Sequence, residues 1–227
     1  MQIRLTVFDV AGTTVFDDDG VIDSMQSALA SSSVEVPRAA IKSVMGLPKP
    51  AAIRQLLGSH AAFPALEIDD RAGEIHRAFV QLVTGRYRSD PMIRPVPGAD
   101  DVFRRLRAAG IQVALDTGFS REILDVLLAR LGWDHDVVDL TVTSDEVEQG
   151  RPHPHLIYRA MQLAGIGDPR DVAKVGDTPA DIEEGRAAGC GLVVGVTYGT
   201  HSRAELERFE VPLIDRLTDL LPLVGAA

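Results

Sequence analysis

"IRLTVFDVAGTT", residues 3–14, decides how the rest of the chain is read. Residues 3–8 form a nearly continuous, β-branched apolar run rather than an alternating one. That pattern marks a strand covered on both faces, as in a parallel sheet. The run ends in Asp9, and Gly12, Thr13 and Thr14 then turn the chain. An acid at the carboxyl end of a buried strand stands where open α/β sheets bind ligands. Two residues further on, where a partner acid would be looked for, stands Ala11.

Working outward, four more runs have the same character: residues 111–115, 137–142, 172–176 and 191–196. Helical patterns lie between most of them, such as "GADDVFRRLRAAG" and "REILDVLLARLG", each ending near a glycine. Strands alternating with helices predict an α/β doubly wound, Rossmann-like parallel sheet. Residues 16–93 differ, with no good strand candidate. Ile22, Met25 and Leu29 share one helical face, and "PAAIRQLLG" and "RAGEIHRAFVQLVTGRY" predict further helices. The polar "FDDDG" and the proline-rich "SDPMIRPVPG" bound this stretch as linkers. The expected organisation is a core of residues 1–15 and 94–227, with a helical domain of residues 16–93 inserted after the first strand.

The net charge of -10 argues against nucleic acid and anionic membranes as partners. It leaves room for a small anionic ligand, since a metal ion and a few local cations reverse the field within one pocket. The single cysteine, Cys190, permits no intrachain disulfide and reads as a small apolar side chain beside the run at 191–196. No apolar run approaches the ~20 residues needed to span a bilayer, and the N-terminus reads as a strand rather than a signal peptide. A soluble, cytoplasmic protein is expected.

Four polar signals fall at or near strand ends: Asp9; "DTG" at 116–118; Arg151 in "EQGRPHP"; and Asp177 in "VGDTPAD", with Asp181 four residues on. Their order on four successive strands resembles the haloacid dehalogenase superfamily of phosphotransfer hydrolases, over the whole chain. The resemblance implies a core of this type with a helical cap that excludes bulk water. It implies that Asp9 attacks phosphorus and becomes a transient aspartyl phosphate. Mg²⁺ would be held by Asp9, the main-chain carbonyl of Ala11 and Asp177, an all-oxygen donor set that suits a hard cation. Arg151 stands where the family usually has lysine and would neutralise Asp9 and the phosphoryl oxygens. Thr117 would donate a hydrogen bond to the phosphoryl group. Asp181 would orient Arg151 or a water on the metal. Gly12 and Gly118 would admit close backbone approach to the phosphoryl group.

Most phosphatases of this superfamily carry an acid two residues after the nucleophile, to protonate the leaving alcohol. Alanine there resembles the phosphonatase branch, which hydrolyses phosphonoacetaldehyde. "VMGLPKP", residues 44–50, resembles the cap motif of that branch, with Met45, Gly46 and Leu47 matching and Lys49 at the lysine position. That lysine would form a Schiff base with the substrate aldehyde, so that an enamine departs. Three positions depart from the branch: Ala52 for a histidine, Phe119 for a tyrosine, and acids around Asp18 and Asp19 for a cysteine early in the cap. The alternatives are a phosphomonoesterase that works without the usual acid, and a non-catalytic binding protein. Expected partners are a small phosphonate or phosphate substrate and, at most, a second copy of the chain in a homodimer. His153 and His155 read as a helix start rather than metal ligands, His201 and Arg121 as helix caps or flanks, and Trp133 as packing.

Overall fold

In the computed structural model, which describes residues 2–60 and 64–226, β1 (Leu5–Phe8) is followed by four helices. These are α1 (Gly20–Ser31), α2 (Arg38–Ser43), α3 (Lys49–His60) and α4 (Ile68–Ser89). Helices and strands then alternate: α5 (Ala99–Ala108), β2 (Gln112–Thr117), α6 (Arg121–Leu131), β3 (Leu140–Thr143), α7 (His155–Ala164), β4 (Val172–Gly176), α8 (Pro179–Ala188) and β5 (Leu192–Val196). The chain closes with α9 (Arg203–Glu207), β6 (Leu213–Ile214) and α10 (Leu221–Val224).

The six strands form one parallel sheet in the order β3-β2-β1-β4-β5-β6. β1 sits inside it, Leu5 opposite both Gln112 of β2 and Val172 of β4. Because side chains alternate across a strand, β1 serves two cores. Leu5 and Val7 pack with Leu156, Ile157 and Ala160 of α7, whereas Phe8 belongs with Val102, Phe103 and Leu106 of α5 and Ile123, Leu124 and Leu127 of α6. Phe8, Phe103 and Trp133 stack edge to face, with ring centroids 5.3 and 5.2 Å apart. This two-sided covering is the reason the strand lacks polar alternation.

The third strand lies at Leu140–Thr143, later than the run at 137–142 suggests. The amides of Val137 and Val138 turn back onto the Asp134 carbonyl at 3.0 and 2.9 Å, so that valine pair is spent on a turn. β6 pairs over two residues, too few to carry a periodic signal.

The helical insertion leaves and rejoins the sheet at one place. Phe16 N–H donates to Arg94 O and Val96 N–H to Thr14 O, both at 2.9 Å, so the outgoing and returning segments pair antiparallel. Within the insertion, α1 packs on α4 through Met25, Leu29, Ile75, Phe79 and Val83, all buried. The face read from Ile22, Met25 and Leu29 is therefore the buried one. Asp69 and Asp70 in the first turn of α4, with Arg86 and Arg88 in its last, complement the helix dipole. Among the described residues, no helix is long and apolar enough to cross a membrane.

The loop between α2 and α3 docks on the end of β2. Lys49 N–H donates to Gly118 O at 3.2 Å, and a Cβ on Gly118 would lie 2.5 Å from the carbonyl oxygen of Leu47. Backbone faces backbone there, so neither side can yield by turning a side chain. Gly118→Ala is expected to cost about 1–3 kcal/mol, the range for overpacking, measured as a lower urea midpoint with an unchanged slope.

Candidate active site

Asp9 follows β1 directly, its N–H held by Val175 O of β4 at 2.9 Å. Thr117 ends β2, and its hydroxyl accepts from Phe119 N–H at 3.1 Å. Asp177 follows β4; it accepts from the Thr13 hydroxyl at 3.0 Å and from Thr200 N–H at 2.7 Å. Thr178 starts α8 in a reciprocal capping box with Asp181, bonded at 3.3 and 3.1 Å. Gly12 adopts a φ of +90°, and a Cβ there would stand 2.5 Å from Asp177 Oδ2. The left-handed turn thus seats Asp177 against the loop of Asp9.

Beneath these residues lies a buried charge cluster. Arg151 reaches Asp9 Oδ1 at 2.5 Å, Asp181 Oδ1 at 3.0 Å and Glu184 Oε2 at 2.9 Å, and it also grips Asp116. Lys174, from inside β4, contacts Asp116 at 2.5 Å, Glu184 at 2.9 Å and Asp181 at 3.3 Å. Asp181 thus touches Arg151 directly. Asp116, Lys174 and Glu184 were not singled out in the sequence. Lys174 could have been: a lysine within the buried run "VAKVG" demands an anion beside it. Glu184 then follows, one helical turn after Asp181 on the same face.

Burial opposes every charge here, and the partners decide which survive. It works against the Asp181 anion, but Arg151 and Lys174 outweigh it and hold that carboxyl below its usual range. Burial, reinforced by the charge of Asp116, pushes Glu184 upward, against the pull of Lys174 and Arg151. For Asp9, burial outweighs Arg151, and the charges of Asp181 and Asp177 add to the upward shift. Asp177 is raised as well, by burial and then by Asp181.

Beside the cluster is a cavity of ≈ 30 Å³, lined by Asp9, Ala11, Met45, Lys49, Thr117, Gly118 and Arg151 among others. Of the residues singled out from the sequence, Gly12, Asp177 and Asp181 stand behind this lining. Asp18 and Asp19, the acids that stand about where the branch has a cysteine, are exposed, whereas Asp17 lines the cavity. Lys49 is 4 % exposed. Its Nζ donates to Leu47 O at 3.3 Å and lies 5.1 Å from the centre of the Phe119 ring. Burial pulls this amine down to about 8, and the nearby negative charge of Asp9 only partly restores it. Ala52 is buried in the same helix, α3, and does not line the cavity.

The donor set suits a hard cation. Asp9 and Asp177 are buried carboxylates, each pushed upward; Asp9 shares Arg151 with three other carboxylates, and the groups that shift Asp177 include no cation. Asp9, Asp116 and Asp181 also bring carboxylate oxygens within 4.8 Å of one another. That second grouping already encloses Arg151 and Lys174, which take the place an ion would need.

The chain from residue 3 to 189 matches the model of the haloacid dehalogenase-like hydrolases. It belongs to that family. A phosphonoacetaldehyde hydrolase from Bacillus cereus is 29% identical to this hydrolase over 223 residues, spanning 95% of this chain and 83% of the relative. Two solved structures share its fold. A phosphonoacetaldehyde hydrolase-like protein from Oleispira antarctica has a TM-score of 0.84 at 23% identity, covering 99% of this chain and 92% of that one. A predicted phosphoglycolate phosphatase from Haemophilus somnus has a TM-score of 0.79 at 22% identity, covering 98% of both chains. One fold thus accompanies two different names, and the shape alone does not select a substrate.

The residues set aside in the sequence behave accordingly. His155 opens α7, with the His153 ring 6.2 Å away. Arg121 opens α6 and pairs with Glu146 at 2.7 Å, and His201 precedes the capping Ser202 of α9. Trp133 packs on Phe103, with its Nε1 donating to Asp100 at 2.9 Å. Cys190 is half-buried, its thiol pushed up to about 12 by burial.

Removing one member of a buried ion cluster leaves the others uncompensated, at a cost of about 3–5 kcal/mol. Lys174→Met is expected to lose that much at pH 7 in urea unfolding. The deficit should shrink toward pH 5. The folded variant then takes up a proton on Glu184 that the unfolded chain still lacks, so its stability falls as pH rises.

Proposed function

We propose that this hydrolase cleaves the phosphorus–carbon bond of a small phosphonate bearing an aldehyde, through an aspartyl phosphate on Asp9. The observation that carries the reading is a buried lysine, Lys49, facing the same ≈ 30 Å³ cavity as Asp9, with only a methyl group at Ala11. An alkyl ester would find no acid at Ala11 to protonate its leaving oxygen. A carbon leaving group needs something else: a place to delocalise its electron pair. An amine near neutrality supplies that by condensing with the aldehyde. Lys49, lowered to about 8, has a useful fraction of free amine near pH 7.

Asp9 contributes its carboxylate oxygen, which forms the new bond to phosphorus as the phosphorus–carbon pair moves into the carbon–carbon bond of an enamine. Arg151, already bonded to Asp9 Oδ1, offsets charge on the incoming oxygens, and Thr117 offers its hydroxyl to the phosphoryl group. Mg²⁺, held by Asp9, the Ala11 carbonyl and Asp177, would supply the remaining positive charge between two anions. Water then hydrolyses the acyl phosphate, while the enamine gains a proton at carbon and a second water frees the product aldehyde from Lys49. In the proposed division of labour, residues 16–93 act as a cap carrying Met45 and Lys49, and the sheet carries the phosphoryl end.

Asp9→Asn is expected to fold normally and lose at least ~10³-fold in turnover, about 4 kcal/mol of barrier, because an amide does not attack phosphorus. Phosphate release from phosphonoacetaldehyde is the assay, repeated with chelator and with Mg²⁺ restored; wild-type rates in excess chelator would contradict the metal assignment. Lys49→Arg separates the two enzymatic readings, since a guanidinium keeps the charge without forming an imine. Near-complete loss, with borohydride adding the substrate's mass at Lys49 of the unaltered protein, is expected. A Lys49→Arg protein that still releases phosphate from a phosphate ester, with no adduct in the unaltered one, would assign the site to phosphomonoesters.

A further inference from the structure

Imine formation moves two protons, and the cavity holds few groups able to move them. Its lining contains two acids, Asp9 and Asp17. Asp9 is bonded to Arg151 and faces phosphorus in the proposed reaction. Asp17 is held at the mouth of α1: its Oδ1 accepts from Gly20 N–H at 2.8 Å and Val21 N–H at 3.3 Å, while Oδ2 has only a 3.4 Å contact with Val21 N–H. One carboxylate oxygen thus anchors the group and the other is left weakly used.

Resting on the Lys49 reading above, we propose that Asp17 is the acid–base residue of this cavity, relaying protons between Lys49 and the substrate's carbonyl oxygen as the imine forms. The Asp17 carboxylate takes a proton from the Lys49 ammonium. The freed nitrogen pair bonds to the carbonyl carbon as the C=O π pair moves to oxygen. Asp17 gives its proton to that oxygen, then takes a second from nitrogen and passes it to the hydroxyl. The C–O bond breaks, water leaves, and the nitrogen pair closes the C=N bond. Asp17 ends as it began, and one water is released for each imine.

The surroundings support the role. Burial lifts Asp17 to about 6, the N–H groups of Gly20 and Val21 pulling back less strongly. Of the charged groups around it, Arg86 of α4 is itself paired with Asp18 and Asp90, Asp177 lies beyond β4, and Lys49 comes from α3. Behind it the Tyr87 hydroxyl, buried and without a hydrogen-bond partner among the described residues, feels the charges of Asp17 and Asp9. The Tyr87 ring meets Phe119 edge to face at 6.1 Å, on the ring that Lys49 overlies.

The test is the rate at which phosphonoacetaldehyde is captured on Lys49, with samples of the Mg²⁺-loaded full chain quenched into borohydride across pH 5–9. With Asp17 acting, the competent protein carries one proton shared by Asp17 and Lys49. The rate should be flat between about 6 and 8 and fall on both sides. Asp17→Asn keeps an oxygen to cap α1 but cannot relay a proton. It should capture at least ~100-fold more slowly at pH 7, with a profile that climbs through 8 and then levels. Asp17→Glu should restore the two-sided profile. An Asp17→Asn protein with the wild-type rate and profile would reduce Asp17 to a helix cap, and a wild-type profile without a limb near 6 would overturn the relay even if the variant failed to fold. No adduct in the wild-type protein would instead remove the Lys49 reading, and the relay with it.

Discussion

Arg151 is the fixed point of this molecule. One guanidinium holds Asp9, Asp116, Asp181 and Glu184, drawn from β1, β2 and α8. With Lys174 beneath it, two cations face four carboxylates in a region closed to water. Such a cluster is tolerable only if every member keeps its partners, because an unpaired buried charge costs several kcal/mol. The sheet must therefore place three strand ends in register before the site exists at all. Its remaining negative excess lies on the side of Asp9 and Asp177, where the proposed reaction sets a divalent cation and a phosphoryl group.

The parallel sheet was legible because burial on both faces removes polar alternation and leaves unbroken runs, as in residues 3–8 and 172–176. The strand ends were legible because acids there have little structural reason to follow such runs. Other features were hidden for physical reasons. Val137 and Val138 have strand propensity but are claimed by a turn on Asp134, so β3 starts later. Asp116 sat inside a motif read for its threonine and glycine, and its partnership with Lys174 is a contact between strands that no local spacing encodes. The entry to the insertion showed three successive acids, Asp17, Asp18 and Asp19. Only the backbone path around α1 decides that the first faces inward and the other two face solvent.

Phe119 links the two ends of the cavity. It follows the glycine on which the α2–α3 loop docks, and its ring lies between Lys49 on one side and Tyr87 on the other. An apolar ring beside an amine withholds solvation from the ammonium, which fits the downward shift at Lys49. The same ring offers a π face that tolerates the charged form. The pocket thus keeps the lysine close to balance between two protonation states, which neither a dry aliphatic wall nor a carboxylate contact would do.

The division between sheet and insertion has a further consequence for how such an enzyme can change over generations. In the proposed reaction residues 17, 49 and 119 face the organic end of a substrate and stand outside the buried ion cluster, whereas Asp116, Lys174 and Glu184 hold the cluster and do not line the cavity beside Asp9. A replacement in the first set leaves every ion pair of the cluster in place while changing the wall of the cavity. A replacement in the second is lost to unfolding before it can alter anything about recognition. Selectivity in the proposed reaction is thereby open to change by single steps, whereas its phosphoryl end is guarded by the need to stay folded.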